Sequence, residues 1–121
     1  MNINLRCAYG MFEGCTSLKT VYCPLMEIVW EKAFDGCSAL TSFDFGTVEK
    51  VYANSFRGCT SIQSATLTNL SYIVSNAFSG WTEEQSIFIP TFKWSALSEA
   101  FKENWTETCK AVTTWASESD D

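Results

Sequence analysis

The sequence predicts an α/β-type repeat solenoid, in which a right-handed coil of 22-residue units carries short parallel strands and ends in a capping helix. Phenylalanine and glycine each recur four times at one constant interval: Phe12, Phe34, Phe56 and Phe78, and Gly14, Gly36, Gly58 and Gly80. A short alternating apolar segment follows each of these pairs. A unit of this size cannot bury its apolar side chains alone, so we expect consecutive units to stack.

Each unit has the same order of elements. The glycine marks a tight corner, where we expect a positive φ because a residue without Cβ adopts it freely. The alternating segments that follow are Val21–Pro24, Phe43–Gly46, Ala65–Thr68 and Ile87–Pro90, and their period of two predicts strands. A second apolar cluster comes next, in Ile28–Trp30, Val51–Tyr52 and Ile73–Val74. Parallel strands about 4.8 Å apart would give a stack on the order of 25 Å long.

The last unit departs from the repeat. Leu97, Phe101 and Trp105 lie four residues apart, which predicts one apolar stripe on a helix of about three turns. Such a helix would cover the open end of the stack. We therefore expect a single repeat domain over residues 1–116, with coils at about 2–23, 24–45, 46–67 and 68–89 and a cap at 90–116. Residues 117–121 form an acidic tail that we expect to be disordered.

The repeat motif, as it stands from Phe12 to Pro24, resembles the bacterial BspA-type leucine-rich repeat family over roughly residues 2 to 105. The segment from Ser86 to Trp105 is similar to the closing helix of that family. Members of the family are mostly cell-surface proteins whose repeats bind host or bacterial proteins and are non-catalytic. The resemblance therefore implies a leucine-rich-repeat fold and a protein partner for this chain, without identifying that partner.

The six cysteines do not predict a disulfide framework or a metal site. Cys15, Cys37 and Cys59 occupy one repeat position, so their Cβ vectors run parallel and three members cannot all pair. Cys23 occupies an inward strand position. The closest cysteines are eight residues apart, whereas zinc ligands are usually paired two to four residues apart. We expect free thiols packed as small apolar side chains, and no metal.

Composition disfavours catalysis and nucleic-acid binding. The chain of 121 residues has a net charge of -6 and no histidine, the most frequent general base. A negative surface does not attract a phosphate backbone. No phosphate-binding loop, nucleophile elbow or marked pair of carboxylates occurs in the sequence. We therefore expect a protein that is not an enzyme, has no catalytic residues and requires no cofactor.

The candidate binding surface consists of the outward residues of the strand segments. They form two columns, each with one residue per repeat: Thr20, Ser42, Ser64 and Ser86, and Tyr22, Asp44, Thr66 and Phe88. Lys19, Thr41, Gln63 and Gln85 flank them. Small hydroxyls can bond a partner's polar groups while Tyr22 and Phe88 provide apolar anchors. The alternative interpretation is a solvated face without a ligand.

Three functions remain open at the level of sequence. The first is a protein-protein interaction module that binds through these columns. The second is a small acidic inhibitor or decoy, such as a phage-type anti-defence protein, that blocks a basic nucleic-acid-binding host protein. The third is a structural fragment of a larger bacterial surface protein. An uncovered N-terminal edge would also allow a homodimer.

Localisation follows from which of these functions is correct. A fragment of a family member would be secreted or at the cell surface, whereas a complete chain would be cytoplasmic. The sequence contains no apolar run of the length that a membrane helix needs, so we expect no membrane insertion.

Overall fold

The computed structural model describes residues 6–7, 9–23, 25–90 and 94–114, and only the backbone of Arg6 and Cys7. In this part of the chain the elements are short. They are, in chain order, β1 (Arg6–Cys7), β2 (Ile28–Val29), β3 (Lys50–Val51), β4 (Ser64–Thr66), β5 (Tyr72–Ile73), β6 (Ser86–Phe88), α1 (Glu99–Thr108) and β7 (Val112–Thr114). The expected acidic tail, residues 117–121, lies outside the described residues.

The strands form two small parallel sheets, one with the order β1-β2-β3-β5 and one with the order β4-β6-β7. Their registers preserve the repeat: Arg6 pairs with Ile28, Ile28 with Lys50, and Lys50 with Tyr72, each one repeat further along the chain. In the second sheet Ser64 pairs with Ser86 at the same interval. Equivalent residues of consecutive repeats therefore lie side by side, as the sequence period predicts.

The glycine corners have the predicted conformation. The φ angles of Gly14, Gly36, Gly58 and Gly80 lie between 73° and 86°. Each corner is also bonded to the next repeat, because the N–H of Gly14 donates to the carbonyl of Asp35 and the N–H of Gly36 to that of Arg57, both at 2.7 Å. The corner column continues through a bidentate ion pair, in which Arg57 donates to the buried Asp35 at 2.9 and 2.7 Å.

A column of stacked phenyl rings fills the core. The rings of Phe12, Phe34, Phe56 and Phe78 stack in this order and are nearly parallel. The distances between consecutive ring centroids are 5.3, 5.4 and 5.4 Å. The three later rings are fully buried. The recurring phenylalanine is thus a packing residue that joins each repeat to the next.

The described cysteines, Cys15, Cys23, Cys37, Cys59 and Cys109, are free thiols, as expected. Within their column, the Sγ of Cys37 donates to the carbonyl of Phe12 and the Sγ of Cys59 to that of Phe34, both at 3.1 Å. Trp81 occupies the fourth position, and its indole N–H donates to the carbonyl of Phe56 at 2.9 Å. The tryptophan therefore preserves the hydrogen bond that the thiols make in the earlier repeats.

The strand expected at Phe43–Gly46 is absent. Ser42, Phe43 and Asp44 make no backbone hydrogen bond to another described residue, so β4 is an edge of its sheet. Both inward positions of this segment are phenylalanine, whereas the next repeat has Ala65 and Leu67 there. The ring of Phe43 lies edge-on to the neighbouring phenyl column, with its centroid 5.0 to 5.1 Å from the column rings. We attribute the missing strand to these two bulky rings, which hold the backbone away from β4.

The strand expected at Val21–Pro24 is also not observed among the described residues of this segment. Tyr22 makes an isolated bridge, and Pro24 lies outside the described residues. The N–H of Thr41 donates to the carbonyl of Lys19 at 3.0 Å, so the first two repeats are joined just before their outward columns.

The C-terminal end is closed by α1, as predicted, but the helix begins later than its apolar pattern suggests. Ser98 is its N-cap and accepts a hydrogen bond from the N–H of Phe101, so Leu97 precedes the helix. Trp105 is buried and lies 5.9 Å from Phe78, which places it at the end of the phenyl column. Phe101 stacks on Trp105. The strand that follows, β7, pairs with β6 and is not predicted from the sequence.

Candidate functional site

The two predicted columns lie on the outside of the protein. The residues of the first column, Thr20, Ser42, Ser64 and Ser86, are all exposed. In the second column, Tyr22, Asp44 and Thr66 are exposed and Phe88 is half-buried. The inward neighbours Ala65, Leu67, Ile87 and Ile89 are fully buried, so the alternation of the strand segments separates surface from core as predicted.

The structure brings the later half of each column into direct register. Ser64 lies beside Ser86, and Thr66 beside Phe88, on neighbouring strands β4 and β6. The earlier members, Thr20, Tyr22, Ser42 and Asp44, lie outside the regular strands. Tyr22 is 62% exposed, which makes it one of the most accessible large apolar side chains in the described part of the chain.

Gln85 does not flank this surface as expected. Its side chain is buried: its amide donates to the carbonyls of Cys59 and Ile62, and its oxygen accepts from the N–H of Thr82. The cause is a change one position earlier. Where the preceding repeats have the buried Leu40 and Ile62, the fourth has Glu84, which is exposed. Gln85 turns inward and bonds the polar groups of the preceding corner.

Two further residues, which the sequence does not predict, extend the columns. Strand β7 places Val112 beside Ser86 and Thr114 beside Phe88. Both are exposed, Val112 at 54%. The interval from Ser86 to Val112 is longer than one repeat, because α1 is inserted in the last unit. A search at the fixed interval of the earlier repeats cannot find them.

Two adjacent shallow hollows lie between the second and third repeats, where the strand ladder is interrupted. The first, of about 390 Å³, is lined by Thr41, Ser42, Phe43, Ser61, Ile62, Gln63 and Ser64. The second, of about 300 Å³, is lined by Phe43, Asp44, Phe45, Gly46, Ser64, Thr66 and Thr68. The candidate surface is therefore indented at its middle, with hydroxyl groups and one carboxylate at the indentation.

The chemistry of the described side chains is that of a packed repeat. Burial raises the pKa of the Cys23 and Cys37 thiols to about 11, and it also raises that of Cys59. Such thiols are poor nucleophiles because they remain protonated at neutral pH. Among the described residues no group of three His, Cys, Asp or Glu side chains is arranged to hold a metal ion. None of the helices in that part of the chain is long and apolar enough to span a membrane.

Comparison with known proteins agrees with this geometry. The model of the BspA-type leucine-rich repeat region matches residues 6–112 with six copies. No curated protein and no solved structure is significantly similar to the chain. The family match covers the phenyl column, the helix that closes it and nearly all of both sheets. The chain therefore belongs to the BspA-type leucine-rich repeat family.

Proposed function

We propose that this protein is a non-catalytic protein-interaction module, which binds a protein partner through the outward columns of its strand segments. Leucine-rich repeat regions are generally non-catalytic and suggest protein-protein interaction. The proposed architecture is a right-handed solenoid of repeated coils, forming a single domain over residues 1–116 that α1 closes. The observation that carries the proposal is the register of β4, β6 and β7, which aligns exposed side chains of consecutive repeats over a buried core.

The composition of the columns supports a protein partner. Ser64, Thr66 and Ser86 present hydroxyl groups, which both donate and accept hydrogen bonds and so suit a partner's backbone. Tyr22 and Phe88 provide the aromatic side chains that most often dominate binding energy at protein interfaces. Ser64, Thr66, Ser86 and Phe88 are held by the paired strands β4 and β6, so binding at these positions need not order a flexible loop.

Site-specific photo-crosslinking tests this function. A benzophenone amino acid at Thr66 lies on the proposed surface, whereas the same amino acid at Glu49, exposed beside β3 of the other sheet, is the matched control. We expect a discrete adduct with a native partner from position 66 and none from position 49. The adduct should disappear when Tyr22 and Phe88 are both replaced by serine. Equal adducts from both positions would place the interface elsewhere.

The net charge of -6 favours a second candidate, an acidic decoy for a basic nucleic-acid-binding protein. Binding would then depend on the electrostatic field of all the surface charges together, and not on contacts with the columns. We expect such a complex to weaken steeply as salt rises from about 50 to about 300 mM, because exposed charges are screened within about 10 Å at 0.1 M. A complex held by the columns should lose much less affinity over the same range.

The partial burial of the first repeat supports a contact with a second copy of the chain. Its inward residues Cys15, Leu18 and Val21 are only half-buried, whereas their equivalents Cys37, Leu40 and Phe43 are buried. We propose that this N-terminal edge packs against a second copy of the chain to form a homodimer. Light scattering on the purified protein tests this: a dimer that Leu18→Glu dissociates is expected, and a wild-type monomer would contradict the proposal. Val112→Glu, at the opposite end, is the control.

A further inference from the structure

The hollow beside Asp44 differs in chemistry from the rest of the proposed surface. Its lining includes Asp44 from the second repeat and the hydroxyl residues Ser64, Thr66 and Thr68 from the third. The two described ion pairs join Arg57 to Asp35 and Lys102 to Glu99, so neither involves Asp44. No lysine or arginine lines this hollow or the adjacent one. The hollow thus carries negative charge without a counter-charge from its own walls.

The position of the carboxylate is fixed by the backbone. Its Oδ1 accepts a hydrogen bond from the N–H of Gly46 at 2.9 Å, which leaves Oδ2 for another donor. A Cβ at residue 46 would lie 3.1 Å from the same oxygen, so glycine permits this close approach. Asp44 is exposed, and the segment Ser42–Asp44 that carries it makes no backbone hydrogen bond to another described residue.

We propose that this hollow is a subsite for a basic side chain, a lysine or an arginine, of the protein partner. The inference rests on the proposed function and adds the chemistry by which the partner is selected. A carboxylate with hydroxyl oxygens around it can accept from several donors at once, and an ammonium or guanidinium group offers several donors together with the opposite charge. Tyr22 occupies the equivalent position one repeat earlier, on the same outward column. The net charge of -6 also favours a basic partner.

The test uses the whole chain and small probes of defined charge. Amide chemical shifts are followed by NMR while N-acetyl-lysine methylamide, its arginine counterpart or the neutral norleucine counterpart is added. We expect a basic probe to shift the amides of Gly46, Ser64, Thr66 and Thr68, and norleucine to leave them unchanged. A response to lysine alone or to arginine alone identifies the side chain.

Two variants distinguish binding of the probe in this hollow from non-specific electrostatic attraction to the protein. Asp44→Asn removes the charge and keeps an oxygen that can accept from Gly46, so the fold should be retained. We expect this variant to lower the affinity for the basic probe by about fivefold, which is the upper range for an accessible ion pair. Glu49→Gln removes one charge from the other sheet and should have no effect on these four amides. Equal binding to wild type and Asp44→Asn, or equal shifts from norleucine, would overturn the subsite. Crosslinking from position 66 would still succeed in that case, so the proposed function would stand.

Discussion

Lysine is an unusual residue at the turn that precedes the second phenylalanine. Lys32 and Asn54 occupy equivalent positions in consecutive repeats and have φ angles of 60° and 56°. Asparagine tolerates this left-handed conformation better than lysine, because its short polar side chain can bond the local backbone. The sequence period alone shows that the two residues are equivalent, but it does not show that the position has a positive φ.

We predict that Lys32→Asn stabilises the protein by about 0.5–1 kcal/mol, because asparagine lowers the conformational strain at this position. Asn54→Lys is the reciprocal variant and should destabilise by a similar amount. Urea unfolding of both variants measures the two changes. Opposite signs are expected, and a loss of stability in Lys32→Asn would show that the lysine makes a contact that outweighs its strain.

The buried thiols should make the unfolding free energy fall with pH in the alkaline range. Burial, with a smaller contribution from the charge of Asp44, raises the pKa of Cys23 from 9.0 to about 11. Because the folded pKa lies above the unfolded one, this stabilisation is complete below pH 9 and is lost as the pH rises through 11. Each such thiol lowers the unfolding free energy by up to about 1.4 kcal/mol per pH unit in that range. Cys23→Val should reduce the slope of stability against pH between 9 and 11. An unchanged slope would mean that Cys23 also ionises in the folded protein.

At the scale of elements, α1 acts mainly through one side chain. Trp105 is 1% exposed and contacts Phe78, Trp94 and Phe101 through its ring, while its indole N–H donates to Thr113. The sequence predicted this stripe, but not the start of the helix, because the N-cap at Ser98 follows Leu97 and excludes it. Capping chemistry therefore overrides the apolar periodicity at this end.

We predict that Trp105→Ala destabilises the protein by about 3–5 kcal/mol, since it removes a large buried ring from the end of the phenyl column. Ser98→Ala removes the helix N-cap and should cost about 0.5–2 kcal/mol. Thermal and chemical unfolding compare the two variants. Similar losses would mean that α1 stabilises the fold as a helix rather than as a carrier of Trp105.

The interrupted ladder predicts a local difference in hydrogen exchange. The amides of Ser42, Phe43 and Asp44 have no backbone partner among the described residues, whereas β4 and β6 are paired along their length. We expect fast exchange at Ser42–Asp44 and slow exchange at Ala65 and Ile87, measured by NMR under native conditions. Replacing Phe43 with valine, the residue of the first repeat, should slow exchange in this segment. Uniformly slow exchange in the wild type would show that the ladder is closed.

For the whole molecule, the sequence was sufficient to predict the period, the parallel stacking, the core and the closing helix. These features follow from a repeated pattern, and repetition makes the pattern visible in one sequence. The strands β1, β2, β3 and β5 of the first sheet, and the positive φ at Lys32 and Asn54, belong to the regular repeats and were not predicted either. The other features that the sequence did not predict are departures from the repeat. They are the displaced segment around Asp44, the inward turn of Gln85 and the strand β7 beyond the inserted helix. Each depends on which side chains meet across repeats, and a position-by-position comparison does not contain that information.

The candidate surface was predictable to the same degree. Its eight residues are exposed or half-buried because the strand alternation assigns them to the outside. The hollows at its middle were not predictable, since they lie where the expected strand at Phe43–Gly46 is not formed. Val112 and Thr114 extend the surface at the end where the insertion changes the interval.

Binding through the strand columns is tested most directly with the partner that crosslinking identifies. Calorimetry compares its affinity for the wild type with its affinity for the triple variant Tyr22→Ser, Asp44→Asn and Phe88→Ser. Tyr22 and Asp44 are exposed and Phe88 is half-buried, so the circular dichroism spectrum should be retained while the loss of the Phe88 ring lowers the unfolding midpoint moderately. We predict a loss of affinity of at least about 100-fold, on the order of 2.7 kcal/mol, because the variant removes both aromatic anchors and the carboxylate. Unchanged affinity in a folded triple variant would contradict the claim that this protein binds through its strand columns.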